Sequence, residues 1–84
     1  MTSSQELHPA SGARFVCERE GEAYRYEIFA AGGATWRGAL RWDAGGQAVA
    51  EPAVPDAWAQ EELLKLARVL RRNAQARLSR WRGP

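Results

Sequence analysis

The stretch AYRYEIFAAGGATWRGALRW, Ala23 to Trp42, decides the architecture. Two runs rich in aromatic and β-branched residues flank Ala31-Gly32-Gly33, a turn where glycine takes positive φ without steric cost. Centring that turn on Gly32 sets Ile28 opposite Trp36, Tyr24 opposite Leu40 and Glu27 opposite Arg37. Side chains alternate along a strand, so Tyr24, Tyr26, Ile28, Trp36, Leu40 and Trp42 share one side. Arg25, Arg37, Arg41 and Thr35 lie on the other side with Glu27.

Upstream, Arg14 to Arg19 reads as a further strand, joined through a turn at Glu20-Gly21. That turn puts Phe15 opposite Tyr26 and Cys17 opposite Tyr24, on the same apolar side, with Arg14 near Glu27 on the reverse. Two turns read independently agree on one apolar and one charged face. Downstream, Ala44-Gly45-Gly46 closes the third strand. A weak fourth, 47–50, pairs at the edge before Pro52 stops it. Residues 1–13 are small and polar and are expected to form a mobile leader to one compact domain over 14–82.

The apolar face needs a cover, and the spacing predicts a helix over 56–81. Asp56 is placed to cap it, after Pro55. Leu63, Leu66, Ala67, Leu70, Ala74, Leu78 and Trp81 fall within about 120° of a helical wheel. The expected class is therefore α+β: an antiparallel meander of three to four strands, covered on one face by a single long C-terminal helix. Such a helix is roughly 39 Å long at 1.5 Å per residue. An eight-residue strand spans only about 26 Å, so the helix's last turns are expected to project beyond the sheet with Leu78 and Trp81 uncovered. Trp58, off the apolar stripe, is expected to fold back over the linker 50–54.

Charge is strongly polarised. The last 22 residues hold seven of the twelve basic residues and no acid, whereas the first 62 carry five bases against ten carboxylates. The net charge of +2 is thus a sum of −5 and +7. A polarised chain either pairs its halves internally or presents a basic surface to an anionic partner. The candidate binding residues are Lys65, Arg68, Arg71, Arg72, Arg77, Arg80, Trp81 and Arg82.

Catalysis finds no constellation. His8 is the only histidine and sits in the leader; Cys17 falls on the core side, where a thiol behaves as a small hydrophobe. Glu18, Glu20 and Glu22 at a hairpin tip read as solvated rather than chelating, and no metal, cofactor or small-molecule ligand is implied. One cysteine excludes an internal disulfide and fits a reducing, cytoplasmic setting. The N-terminus lacks the apolar run of a secretory signal, and no stretch approaches the ~20 apolar residues of a membrane helix.

The resulting expectation is a small, non-enzymatic protein-binding or adaptor module of bacterial style. It acts through its basic C-terminal helix, with a protein partner or a second copy in a homodimer. The alternative is sequence-nonspecific nucleic-acid binding, in which cations every three or four residues follow the phosphates and strand arginines enter a groove.

Overall fold

The computed structural model describes Pro9 and residues 11–83. Of the leader, residues 1–8 and 10, His8 among them, lie outside the described residues. Ala13 already belongs to a strand. The elements run β1 (Ala13–Glu20), β2 (Ala23–Ala30), β3 (Thr35–Trp42), β4 (Ala48–Glu51), α1 (Ala57–Asn73) and β5 (Arg77–Arg82). All pairings are antiparallel and the sheet order is β4-β3-β2-β1-β5. The α+β meander with one covering helix is therefore the observed class, with a fifth strand added at the edge.

The β2–β3 register is the one the glycine turn dictates: Tyr24 opposite Leu40, Glu27 opposite Arg37, Ile28 opposite Trp36. The β1–β2 register is two residues away from expectation, with Phe15 opposite Ile28 and Cys17 opposite Tyr26. Arg14 accordingly lies across from Phe29, not beside Glu27. The reason is local. Gly21, at φ 66, takes the first position of the loop, which requires a positive angle. Glu20 is thereby drawn into the strand opposite Ala23. A two-residue slip preserves side-chain parity, so the apolar face survives intact.

That face and α1 form the core: Phe15, Cys17, Tyr26, Ile28 and Leu40 from the sheet against Ala59, Leu63, Leu66, Ala67 and Leu70 from the helix. Trp36 and Trp42 pack at its margins, half-buried. Asp56 caps the helix, its Oδ1 accepting the Ala59 N–H at 2.9 Å. The β3–β4 hairpin is held by Asp43, whose Oδ1 accepts both the Gly45 and Gln47 N–H at 2.9 Å. This displaces β4 by one residue from expectation, to Ala48–Glu51.

The expected helix over 56–81 is corrected at its C-terminal end. It stops at Asn73, and Ala74 takes the left-handed conformation, φ 50 and ψ 37. The reversal is pinned from the sheet: the Tyr24 hydroxyl donates to the Gln75 carbonyl at 2.6 Å, and the Arg19 N–H donates to the Ala76 carbonyl at 2.8 Å. The chain then returns along β1 as β5. No overhanging helical end exists, and Leu78 is buried within the monomer. Among the described residues no helix is long and apolar enough to cross a membrane.

Candidate functional site

The eight candidate residues divide between two elements. Lys65, Arg68, Arg71 and Arg72 lie on α1, while Arg77, Arg80, Trp81 and Arg82 lie on β5. Strand alternation sorts the second group again. Arg77, Ser79 and Trp81 share the uncovered sheet face, since Arg77 sits opposite Glu18 and Trp81 opposite Arg14. Leu78, Arg80 and Arg82 point to the helix side, opposite Cys17, Phe15 and Ala13. Only Leu78 reaches the core; the other five residues of β5 are exposed.

Among the described residues β5 is the last strand on its side of the sheet, and its outer edge has no strand paired with it. Such an edge presents a row of backbone donors and acceptors. Trp81 stands at its end, 55% exposed, fixed by donation from its indole Nε1 to the Ser11 carbonyl at 3.0 Å. The arginines are only loosely engaged. Arg77 Nε is 3.6 Å from Glu18 and Arg82 Nε is 3.7 Å from Glu62. Arg80 donates to its neighbour's carbonyl at 3.0 Å and has no carboxylate partner among the described residues. A pair as long and solvent-exposed as Arg77–Glu18 contributes about 0–1 kcal/mol and yields readily to a competing anion.

The helical cations are a more mixed group. Lys65 donates to Glu62 at 2.9 Å, so this one carboxylate, turned inward from the solvated face, serves both α1 and β5. Arg71 stacks over Trp42 at 5.6 Å and reaches the Gly46 carbonyl at 3.3 Å. Arg19 lies over Tyr24 at 5.8 Å, and the two rings meet edge to face at 5.7 Å. These guanidinium groups wall a depression of about 490 Å³ that also contains Glu22. Arg68 and Arg72 have no ion pair among the described residues.

The uncovered sheet face is a lattice of compensated charge. Arg25 pairs with Glu20 at 3.4 Å and Arg37 with Glu27 at 2.6 Å; Arg41 pairs with Glu51, and Arg77 with Glu18. Each strand boundary is crossed by such a pair; between β1 and β2 it is a diagonal one, Glu20 reaching Arg25 from the hairpin end. The arginines expected to enter a nucleic-acid groove from this face are therefore matched one to one by glutamates. Arg14, beside Trp81, joins the basic edge instead. Reading 74–81 as helix concealed that neighbour, because it becomes visible only once β5 is placed on β1.

Cys17 is enclosed, and burial pushes its thiol up to about 12, far from the thiolate form a nucleophile needs. Tyr26 is also raised by burial; its hydroxyl donates to the Pro52 carbonyl at 2.6 Å. Among the described residues no group of three or more His, Cys, Asp or Glu is placed to hold a metal ion. Trp58, expected over the linker 50–54, sets its ring edge-on to Phe15 at 6.2 Å and stays 39% exposed. No protein-family model matches the chain, and neither does any curated protein or solved structure.

Proposed function

We propose that this is a non-enzymatic protein-binding module that takes an acidic, extended segment of a partner protein onto the free edge of β5. The observation that carries the reading is a six-residue edge strand with Arg77, Arg80 and Arg82, an exposed Trp81, and five of its six side chains in solvent. Adding a strand to such an edge draws affinity from main-chain hydrogen bonds and specificity from alternate side chains. Here the side chains offer cations and one indole, which suits carboxylates interleaved with apolar residues.

Charge also argues for the class of partner. A second copy pairing edge to edge would bring three guanidinium groups from each chain into one seam, and like charges across a ladder are destabilising. An acidic strand removes that repulsion. Nucleic acid is the less favoured partner because Arg25, Arg37 and Arg41 on the sheet face already face glutamates. A cytoplasmic location fits the single reduced thiol.

The test compares three partners for the purified protein. These are a peptide alternating glutamate with valine, a mixed-sequence duplex DNA, and the protein itself by light scattering. Saturable binding of the peptide by a monomeric protein, with weaker binding of duplex at about 200 mM salt, is the expected result. A dimer through β5 in the absence of peptide, or duplex binding tighter than peptide binding, contradicts the proposal.

A further inference from the structure

We propose that the cavity between Trp36 and Trp58 is a second binding site, and that it takes an organic ammonium cation carrying methyl groups. The cavity measures about 410 Å³ and lies at the end of the sheet where α1 begins. Most of its lining is small, Ala30, Ala34 and Ala59 among it, so the room between the larger side chains is left by residues that end at Cβ. Its walls include the two tryptophans. Trp36 is packed on the core, and Trp58 is steadied by its edge-on contact with Phe15. Both rings are thus held in place while part of the Trp58 surface stays open.

Among the described residues the charge at this cavity has one sign, since Asp56 is the only charged one lining it. The carboxylate uses Oδ1 to cap Ala59, and it forms no ion pair among the described residues. A full negative charge outweighs the roughly half-unit positive charge of the adjacent helix N-terminus. Aromatic faces attract cations through the ring quadrupole, and tryptophan does so best. A bare ammonium keeps its water in such a site, whereas a methylated one brings apolar surface to the alanine lining. The cavity is also large enough to admit the chain that bears the cation. That cation could be a free small molecule or a methylated lysine of another protein; the head group is the same.

The site is independent of the β5 edge, and its test leaves that edge untouched. Indole N–H signals of Trp36 and Trp58 are followed by NMR in ¹⁵N-labelled protein titrated with choline. The neutral isostere 3,3-dimethyl-1-butanol serves as control. Parallel titrations use a peptide bearing trimethyl-lysine and its unmodified lysine counterpart. Choline or the methylated peptide shifts both indoles saturably, and whichever binds more tightly identifies the source. The matching uncharged or unmethylated compound binds at least ~5-fold more weakly, as expected for a cation–π site of about 1 kcal/mol or more. Asp56→Asn keeps a capping side chain and so keeps the helix start, yet weakens cation binding; Trp58→Ala abolishes it. Equal binding of the isostere, or no indole shift with either cation, overturns the assignment.

Discussion

Leu78 lies directly across from Cys17 in the β5–β1 register, and both are buried, at 3% and 1% exposure. This contact anchors the outermost strand, because every other side chain of β5 is in solvent. Leu78→Ala is therefore expected to cost about 2–4 kcal/mol, the range for losing a buried leucine. The loss falls unevenly. Hydrogen exchange should quicken in 77–82 well before it does in β2 or β3, since an edge element can open without the rest. Uniform acceleration across all five strands would show that β5 is integral to the core rather than hinged on one side chain.

Ala74 ends α1 in a left-handed conformation that costs a residue with a Cβ about 1–2 kcal/mol. Ala74→Gly removes that strain and loses part of the gain to a more flexible unfolded chain. The expected net effect is a stabilisation of about 0.5–1 kcal/mol in denaturant unfolding. If α1 instead ran on through 74, as its periodicity suggests, the same change would destabilise by a similar amount.

Gly38 faces Tyr26 across the β2–β3 ladder, and its missing side chain is what lets the phenol cross to the Pro52 carbonyl. A Cβ there would sit 2.7 Å from the tyrosine ring and 2.5 Å from the Glu51 carbonyl oxygen. Gly38→Ala is expected to cost about 1–3 kcal/mol through overpacking. Tyr26→Phe, which keeps the ring and loses the hydrogen bond, is expected to cost about 1 kcal/mol. Urea titration of the two variants separates space from hydrogen bonding, and an inexpensive Gly38→Ala would refute the close approach.

The folded thiol of Cys17 sits at about 12 against an ordinary value of 9.0. The native state therefore prefers the neutral thiol more strongly than the unfolded chain does. Its stabilising contribution is complete below pH 9 and declines as pH rises from 9 toward 12, at up to ~1.4 kcal/mol per pH unit. Tyr26, also raised by burial, acts in the same direction at alkaline pH. Cys17→Ala should flatten the first of these losses and leave the second. A disulfide reagent at pH 8 should modify Cys17 only after unfolding; rapid labelling of the native protein would contradict its burial.

Most of the fold was legible because period-two alternation and glycine turns reinforce each other between 13 and 51. Even the two-residue error at the first turn preserved which side chains are buried. The C-terminal segment was misread for a physical reason. Leu78 satisfies both patterns, eight residues beyond Leu70 on a helix and alone among polar neighbours on a strand. Arg71-Arg72-Asn73 carries the usual mark of a helix end, cations in the last turn followed by asparagine. The length mismatch between helix and sheet was a second sign. What resolves it is tertiary: Tyr24 and Arg19 hold the carbonyls of Gln75 and Ala76, contacts across the fold that no local pattern encodes. The cluster of basic residues was legible in composition but its placement was not, since the partition between α1 and β5 follows from that same turn.

The free edge of β5 is tested most directly by a charge exchange read at the backbone. Amide signals of the ¹⁵N-labelled protein are followed while a glutamate–valine alternating peptide is added, then its lysine–valine counterpart. The account predicts saturable shifts and new exchange protection centred on 77–82 with the acidic peptide alone. Arg77→Glu/Arg80→Glu/Arg82→Glu should reverse the preference toward the lysine peptide. Shifts centred on Arg68 and Arg72 of the helix, or binding indifferent to peptide charge, would contradict it.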